Sequence, residues 1–146
     1  MRVERARAAD IPAIEGLLAS AGLPLDGAAP AFDTGVVVRD EDAIVAAAAL
    51  EIRGGDAALL RSVVVAADRR GSGLGRTVVE AAEVLARDLA IRELYLLTET
   101  AVDWFPRLGY RPVDRAAVPE VVRQSIEFTT LCAETGVAMH RSLRPD

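Results

Sequence analysis

The sequence predicts an α/β (α+β) domain, and three observations carry that expectation. Short apolar runs rich in Val, Ile and Leu alternate with amphipathic helical stripes. Gly- and Pro-containing turns separate the two kinds of segment, as in layers of helices packed on a sheet. Hydrophobic residues make up 51% of the 146, enough to fill a core and too many for a disordered chain. That length suits one core rather than two, so residues 1–146 are read as a single domain. The core should be tightly packed and aliphatic, because 27 residues are alanine and only six are aromatic.

Val3 to Ala6 reads as a short first strand. Asp10 precedes Ile11 and Pro12 as a helix N-cap, and Ile11, Ile14, Leu17, Leu18 and Ala21 recur at helical spacing until Gly22 and Pro24 stop the helix. Gly22 to Asp33 is rich in Gly, Pro and Asp, and is either a loop bordering a site or a weak second helix. Strands follow at Val36 to Arg39 and Ala43 to Ile52. The second contains Ala46 to Ala49, good helix formers, yet the Gly54-Gly55 pair beyond it marks a hairpin and favours strands on both flanks. Leu59 to Val65 is then the partner strand, apolar on both faces except at Arg61 and Ser62, as a central strand should be. Leu74, Val78, Ala81, Ala82 and Leu85 form a helical stripe ending near Leu89. Glu93 to Thr98 is a strand, Val102 to Leu108 a short helix closed by Gly109, and Tyr110 to Val113 an extended stretch. Val118 to Gln124 reads as a last helix and Val137 to Leu143 as a final strand.

Charge and composition exclude several classes. A net charge of −5 and an isoelectric point near 5.0 argue against nucleic acid or an anionic membrane as partner. The 17 basic residues are all arginine, which we read as coding bias rather than a binding signal. The apolar run Ile44 to Leu50 falls far short of the roughly 18 residues a membrane helix needs. Met1 to Asp10 contains no apolar signal segment, and Cys132, the single cysteine, cannot form an internal disulfide, so a reducing cytoplasm is expected. No His/Cys cluster has metal-ligand spacing, and no metal is expected.

The informative segment runs from Val63-Val64-Val65 through Arg69-Arg70-Gly71-Ser72-Gly73-Leu74-Gly75-Arg76. It is a buried strand, a polar turn, and glycines at alternate positions opening a helix. Glycine lets backbone N–H groups approach a ligand with no Cβ in the way, and a helix start leaves such groups unpaired in a positive local field. Arg69, Arg70 and Arg76 add charge, so the turn is suited to phosphate. A nucleoside-triphosphate loop fails, because Gly75-Arg76-Thr77 lacks the lysine and Arg70 replaces the first glycine. A dinucleotide fingerprint fails as well, because Gly71, Gly73 and Gly75 run G-x-G-x-G. A merely tight turn would have little need of three glycines that weaken a helix start.

Arg70, Gly73 and Gly75 do satisfy Arg/Gln-x-x-Gly-x-Gly/Ala. This resembles the pyrophosphate motif of the GNAT superfamily of acetyl-CoA-dependent N-acetyltransferases. The stretch Thr98 to Tyr110 resembles that family's second cofactor segment: Ala101, Gly109 and Tyr110 match at the right intervals. Thr98 stands where asparagine is common, and Phe105 where many members place a tyrosine that protonates the departing thiolate, so that role is not carried over. Leu59-Leu60-Arg61-Ser62-Val63, Leu94 to Thr98 and Ser125-x-Glu127-Phe128-x-x-Leu131-Cys132 resemble the arsenic-resistance branch.

The resemblance implies a GNAT fold, a mixed and mostly antiparallel sheet splayed at its centre with helices on both faces. It implies acetyl transfer from acetyl-CoA to the primary amine of a small molecule, with an amino-acid-like organoarsenical in view, and a homodimer is common in the family. Val63, Val64 and Val65 would hold pantetheine, Arg70, Gly71, Ser72, Gly73, Leu74, Gly75 and Arg76 the pyrophosphate, and Thr98 the cofactor's polar arm. An ammonium near pKa ~10 must lose a proton before it attacks, and the tetrahedral intermediate needs an oxyanion donor, expected from the Val63–Val65 backbone. A non-catalytic acetyl-CoA-binding module, or acetylation of a protein or aminoglycoside amine, is the alternative.

Glu51 and Arg61 are the catalytic candidates. With a two-residue Gly54-Gly55 turn, Glu51 lies opposite Ala58 on the face of Leu60 and Ser62, and Arg61 points to the other face. Arg61, in an apolar strand, needs a partner: a structural carboxylate, or a substrate carboxylate or oxyanion. Glu99 and Asp103 are further bases, although Thr100-x-x-Asp103 fits a capping box. Trp104 is read as packing, His140 as non-catalytic, Glu127 as structural, and Cys132 as a small buried hydrophobe.

Overall fold

A computed structural model describes residues 1–131 and 135–145; Cys132, and with it the expectation of a buried thiol, lies outside the described residues. Seven strands form one sheet: β1 (Arg2–Arg5), β2 (Gly35–Asp40), β3 (Ala43–Ile52), β4 (Ala57–Val65), β5 (Glu93–Thr98), β6 (Arg111–Pro112) and β7 (Val137–Ser142). Their order is β1-β2-β3-β4-β5-β7-β6, antiparallel throughout except for β4 with β5. The helices are α1 (Ile11–Ser20), α2 (Ala28–Ala31), α3 (Leu74–Asp88) and α4 (Glu120–Arg123). This is the mixed, mostly antiparallel sheet that the resemblance implied.

The alanine run explains how three layers fit together. Ala46, Ala47, Ala48 and Ala49 are each 0% exposed in β3. Ala46 and Ala48 join Leu50, Val78 and Ala82 under α3, while Ala47 and Ala49 join Ile14, Leu18 and Phe32 under α1 and α2. Small side chains on both faces let both helical layers approach closely, and burial in a central strand overrides the helix propensity of alanine.

Three local expectations are corrected. Asp10 holds the N-cap position of α1 but its side chain does not cap the helix; a 3-10 turn, Ala8–Asp10, precedes it, and the Asp10 carboxylate accepts from Arg7 N–H (2.9 Å) and grips Arg39 (3.1 and 3.0 Å). The helix expected from Val102 is a 3-10 turn, Phe105–Leu108. The hairpin turn is one residue longer than a Gly-Gly turn: Arg53 N–H donates to the Ala57 carbonyl (3.0 Å), leaving Gly54, Gly55 and Asp56 as the loop. Glu51 therefore faces Leu59, not Ala58, and shares the face of Arg61. Side-chain direction has period two, so one extra turn residue moves Glu51 across the sheet.

Candidate functional site

The site begins where β4 leaves its neighbours. β4 and β5 pair only over Ala57–Leu59 with Glu93–Tyr95, and beyond that they part. On the other side Ala47 faces Val64 and Ala49 faces Arg61, so Ser62 and Val63 together oppose Ala48. This is a β-bulge, with Ser62 at φ 57°, a left-handed conformation that costs a non-glycine residue on the order of 1–2 kcal/mol. The extra residue reverses the alternation: Leu60, Val63 and Val65 lie toward α3, while Val64 turns toward α1.

Two cavities open along the parted strands. The larger, about 810 Å³, lies between the end of β4, the start of α3 and the segment around Trp104. The smaller, about 460 Å³, lies between Leu60–Val63, the Gly22–Pro24 loop, the end of β5 and Glu127. They adjoin, because Leu23, Val63, Thr100, Ala101 and Phe105 line both. Of the expected cofactor residues, Val63, Val64, Val65, Arg70, Gly71, Gly73, Leu74, Gly75 and Arg76 line the larger cavity and Thr98 the smaller. Ser72 lines neither; its hydroxyl donates to the Arg69 carbonyl.

The alternate glycines have different causes. Gly71 and Gly73 take φ of 80° and 85°, and a Cβ on either would meet nothing within 4 Å; their identity answers to the backbone conformation. Gly75 has ordinary φ, but a Cβ there would lie 2.8 Å from Trp104 Cζ2. The close approach at position 75 is thus to the protein's own indole, which corrects the view that all three glycines clear room for a ligand. Gly73 is the N-cap of α3 and no side chain caps the helix, so its first amides stay available beside the larger cavity. Arg69 is engaged by Asp40 at 2.7 Å, whereas Arg70 is exposed and has no ion pair among the described residues.

Around Thr98 the expected capping box does not form; Thr98 Oγ1 itself accepts from Ala101 N–H (3.1 Å) and holds the turn that leads to Trp104. Phe105 is buried, edge-on to both Trp104 and Tyr110. Neither tyrosine lines a cavity: Tyr110 OH donates to Glu83 (2.7 Å) beneath α3, and Tyr95 leans on His140. His140 pairs with Glu93 at 2.7 Å, away from both cavities.

The smaller cavity holds a charge cluster. Arg61, with no exposed side-chain surface, donates to Glu51 Oε1 (3.0 Å), to the Asp26 carbonyl (2.7 Å) and to Ser62 Oγ (3.3 Å). Glu51 also accepts from Ser125 Oγ (3.0 Å) and meets Arg53 at 3.4 Å, and it does not line the cavity. Arg61 thus ties β3 and β4 to the α1–β2 loop, where a Cβ on Gly27 (φ 77°) would lie 2.9 Å from the guanidinium. Glu127, read from sequence as structural, opens a π-helical turn, Glu127–Leu131, and its carboxylate lies 3.8 Å from Arg61 Nε. It is 6% exposed, and burial pushes its carboxyl up to about 7; Arg61 opposes that rise and Glu51 adds to it. Only the Ser125-x-Glu127 pattern marked this residue in the sequence, and it carries no sign of burial. Among the described residues no His, Cys, Asp or Glu cluster could hold a metal ion, and no helix is long and apolar enough to cross a membrane.

Comparison with known proteins agrees with this geometry. The chain is 35% identical over 100 residues to an amino-acid acetyltransferase of Azotobacter vinelandii, and 32% identical over 66 residues to one of Salmonella typhi. These stretches cover 64% and 45% of the chain but only 23% and 15% of those longer proteins. Among solved structures, N-acetylglutamate synthase of Neisseria gonorrhoeae, complexed with coenzyme A and N-acetyl-glutamate, superposes with a TM-score of 0.84 at 18% identity, over 99% of the chain and 35% of that protein. Rv2747 of Mycobacterium tuberculosis, in a complex containing CoA, superposes with a TM-score of 0.82 at 23% identity, over 99% and 100%. Those likenesses are of fold. Residues 32–112, from Phe32 below α1 through the bulged strand and the glycine turn to Pro112 in β6, match the acetyltransferase (GNAT) domain. More than half of the sequence thus carries the family's pattern, and the chain belongs to the GNAT acetyltransferase domain family.

Proposed function

We propose that the protein is an acetyl-CoA-dependent N-acetyltransferase acting on the primary amine of a small, amino-acid-sized molecule. The observation that carries this reading is the meeting of two cavities at Val63, beside a strand whose outer edge has lost its partner. The larger fits the cofactor: uncapped amides at the start of α3 and the free guanidinium of Arg70 suit a diphosphate, and the unpaired edge of Val63–Val65 suits the amide groups of pantetheine. When bound, acetyl-CoA supplies a thioester carbonyl to which an amine adds with release of the thiol. The β4 backbone N–H groups beyond the bulge are the donors available to the carbonyl oxygen. At about 460 Å³ the smaller cavity admits an amino acid, and its Glu127 and Glu99 favour the ammonium end of such a molecule. The names of the partial relatives, amino-acid acetyltransferases, support the same size class. An organoarsenical with an amino-acid head belongs to this class. The reading carries a cytoplasmic location and, by family resemblance, a homodimer, which fractionation and sedimentation test.

The experiment is thiol release from acetyl-CoA with a panel of amino acids, amino-acid organoarsenicals, polyamines and aminoglycosides. Turnover confined to small amines supports the proposal. Tight acetyl-CoA binding without release on any amine overturns it in favour of a binding module, a reading that Phe105 and the tyrosine-free cavities would then explain.

A further inference from the structure

We propose that Glu127 is the base that takes the proton from the incoming ammonium, and that Arg61 is a positioning residue that holds Glu127 and the α1–β2 loop around the acceptor cavity. This rests on the acetyltransferase reading and assigns it a residue. Glu127 is the buried carboxylate that lines the acceptor cavity, and among the described residues no donor lies within hydrogen-bond distance of its oxygens. Its oxygens therefore open on the cavity rather than on protein donors, and a partly desolvated carboxylate at a cavity wall with no donor to quench it is what a proton acceptor requires.

The other acids are placed differently. Glu51, the candidate favoured by the sequence, is held by Arg61, Ser125 and Arg53 and does not reach the cavity. Glu99 lines the cavity but is exposed at its mouth and accepts from Thr135. The charged groups facing Glu127 are Arg61 from β4, Glu51 behind it on β3 and Glu99 across the cavity after β5. Arg61 is shared with Glu51, so it steadies the Glu127 carboxylate without forming a close pair that would quench it.

The proton balance is simple. The ammonium gives one proton to Glu127, and the freed lone pair forms the N–C bond as the C–S bond breaks. The second nitrogen proton leaves with the thiolate as free thiol, and Glu127 returns its proton to water.

The test is the pH dependence of kcat for the wild type, Glu127→Gln, Glu127→Asp and Glu99→Gln, on the best amine of the panel, with acetyl-CoA affinity and thermal midpoint measured alongside. The wild type should gain kcat through an ionisation near 7. Glu127→Gln should lose that limb and fall about 100-fold or more at pH 8, with cofactor affinity unchanged. Glu127→Asp should recover part of the rate and keep a limb, which a structural role would not produce. A Glu127→Gln enzyme that keeps the limb, or a limb lost in Glu99→Gln instead, overturns the assignment while the acetyltransferase reading stands. A wild type that binds acetyl-CoA and acetylates nothing overturns both.

Discussion

The indole of Trp104 occupies the space a side chain on Gly75 would need: Cζ2 lies 2.8 Å from the position of a Cβ there. The first turn of α3 and the loop after β5 are locked together at this point, and both wall the larger cavity. Gly75→Ala should destabilise the protein by about 1–3 kcal/mol through overpacking. Trp104→Ala in the same chain should return part of that loss, so the double variant is more stable than the two single effects predict. Urea unfolding of the four proteins measures the coupling.

Gly73 presents the opposite case. Its φ is 85° and a Cβ would meet nothing, so Gly73→Ala carries only the left-handed backbone cost, on the order of 1–2 kcal/mol. Because the strain falls on the uncapped helix start, acetyl-CoA affinity should drop about tenfold in calorimetry. Arg70→Ala should lower affinity by a similar factor and flatten its dependence on salt, since an exposed cation acts through a screened field.

Glu127 makes stability depend on pH. Its folded pKa, about 7, lies above the ordinary carboxylate value of 4.5, so between those values the folded state binds the extra proton. That contribution to stability is fully present below pH 4.5 and is lost as pH rises through 7. Wild-type unfolding free energy should therefore fall between pH 5 and 8 by an amount on the order of 2–3 kcal/mol from this group. Glu127→Gln should flatten the slope, as chemical denaturation across that range would show.

Most elements could be read from the sequence because their signals are local. The stripe Leu74, Val78, Ala82 and Leu85 is buried against the sheet as its spacing implied, and Glu93–Thr98 is a strand with the expected bounds. The glycine turn was readable for the same reason, since positive φ at Gly71 and Gly73 is written in residue type. Asp10 misled because an acidic residue before Ile-Pro is also what a buried partner of Arg39 looks like, and Arg39 is far away in sequence.

The sequence by itself determined most strands and helices, the glycine turn and the family, because backbone propensity and hydrophobic period act between near neighbours. Only the tertiary structure decided that Glu127, and not Glu51, lines the smaller cavity. One additional residue in the Arg53–Ala57 turn put Glu51 against Arg61, and the bulge at Ser62 sent Val63 to the other face. Packing of the π-helical turn against β4 left Glu127 only 6% exposed. Register, bulges and desolvation depend on chain segments far apart in sequence, and no local pattern encodes them.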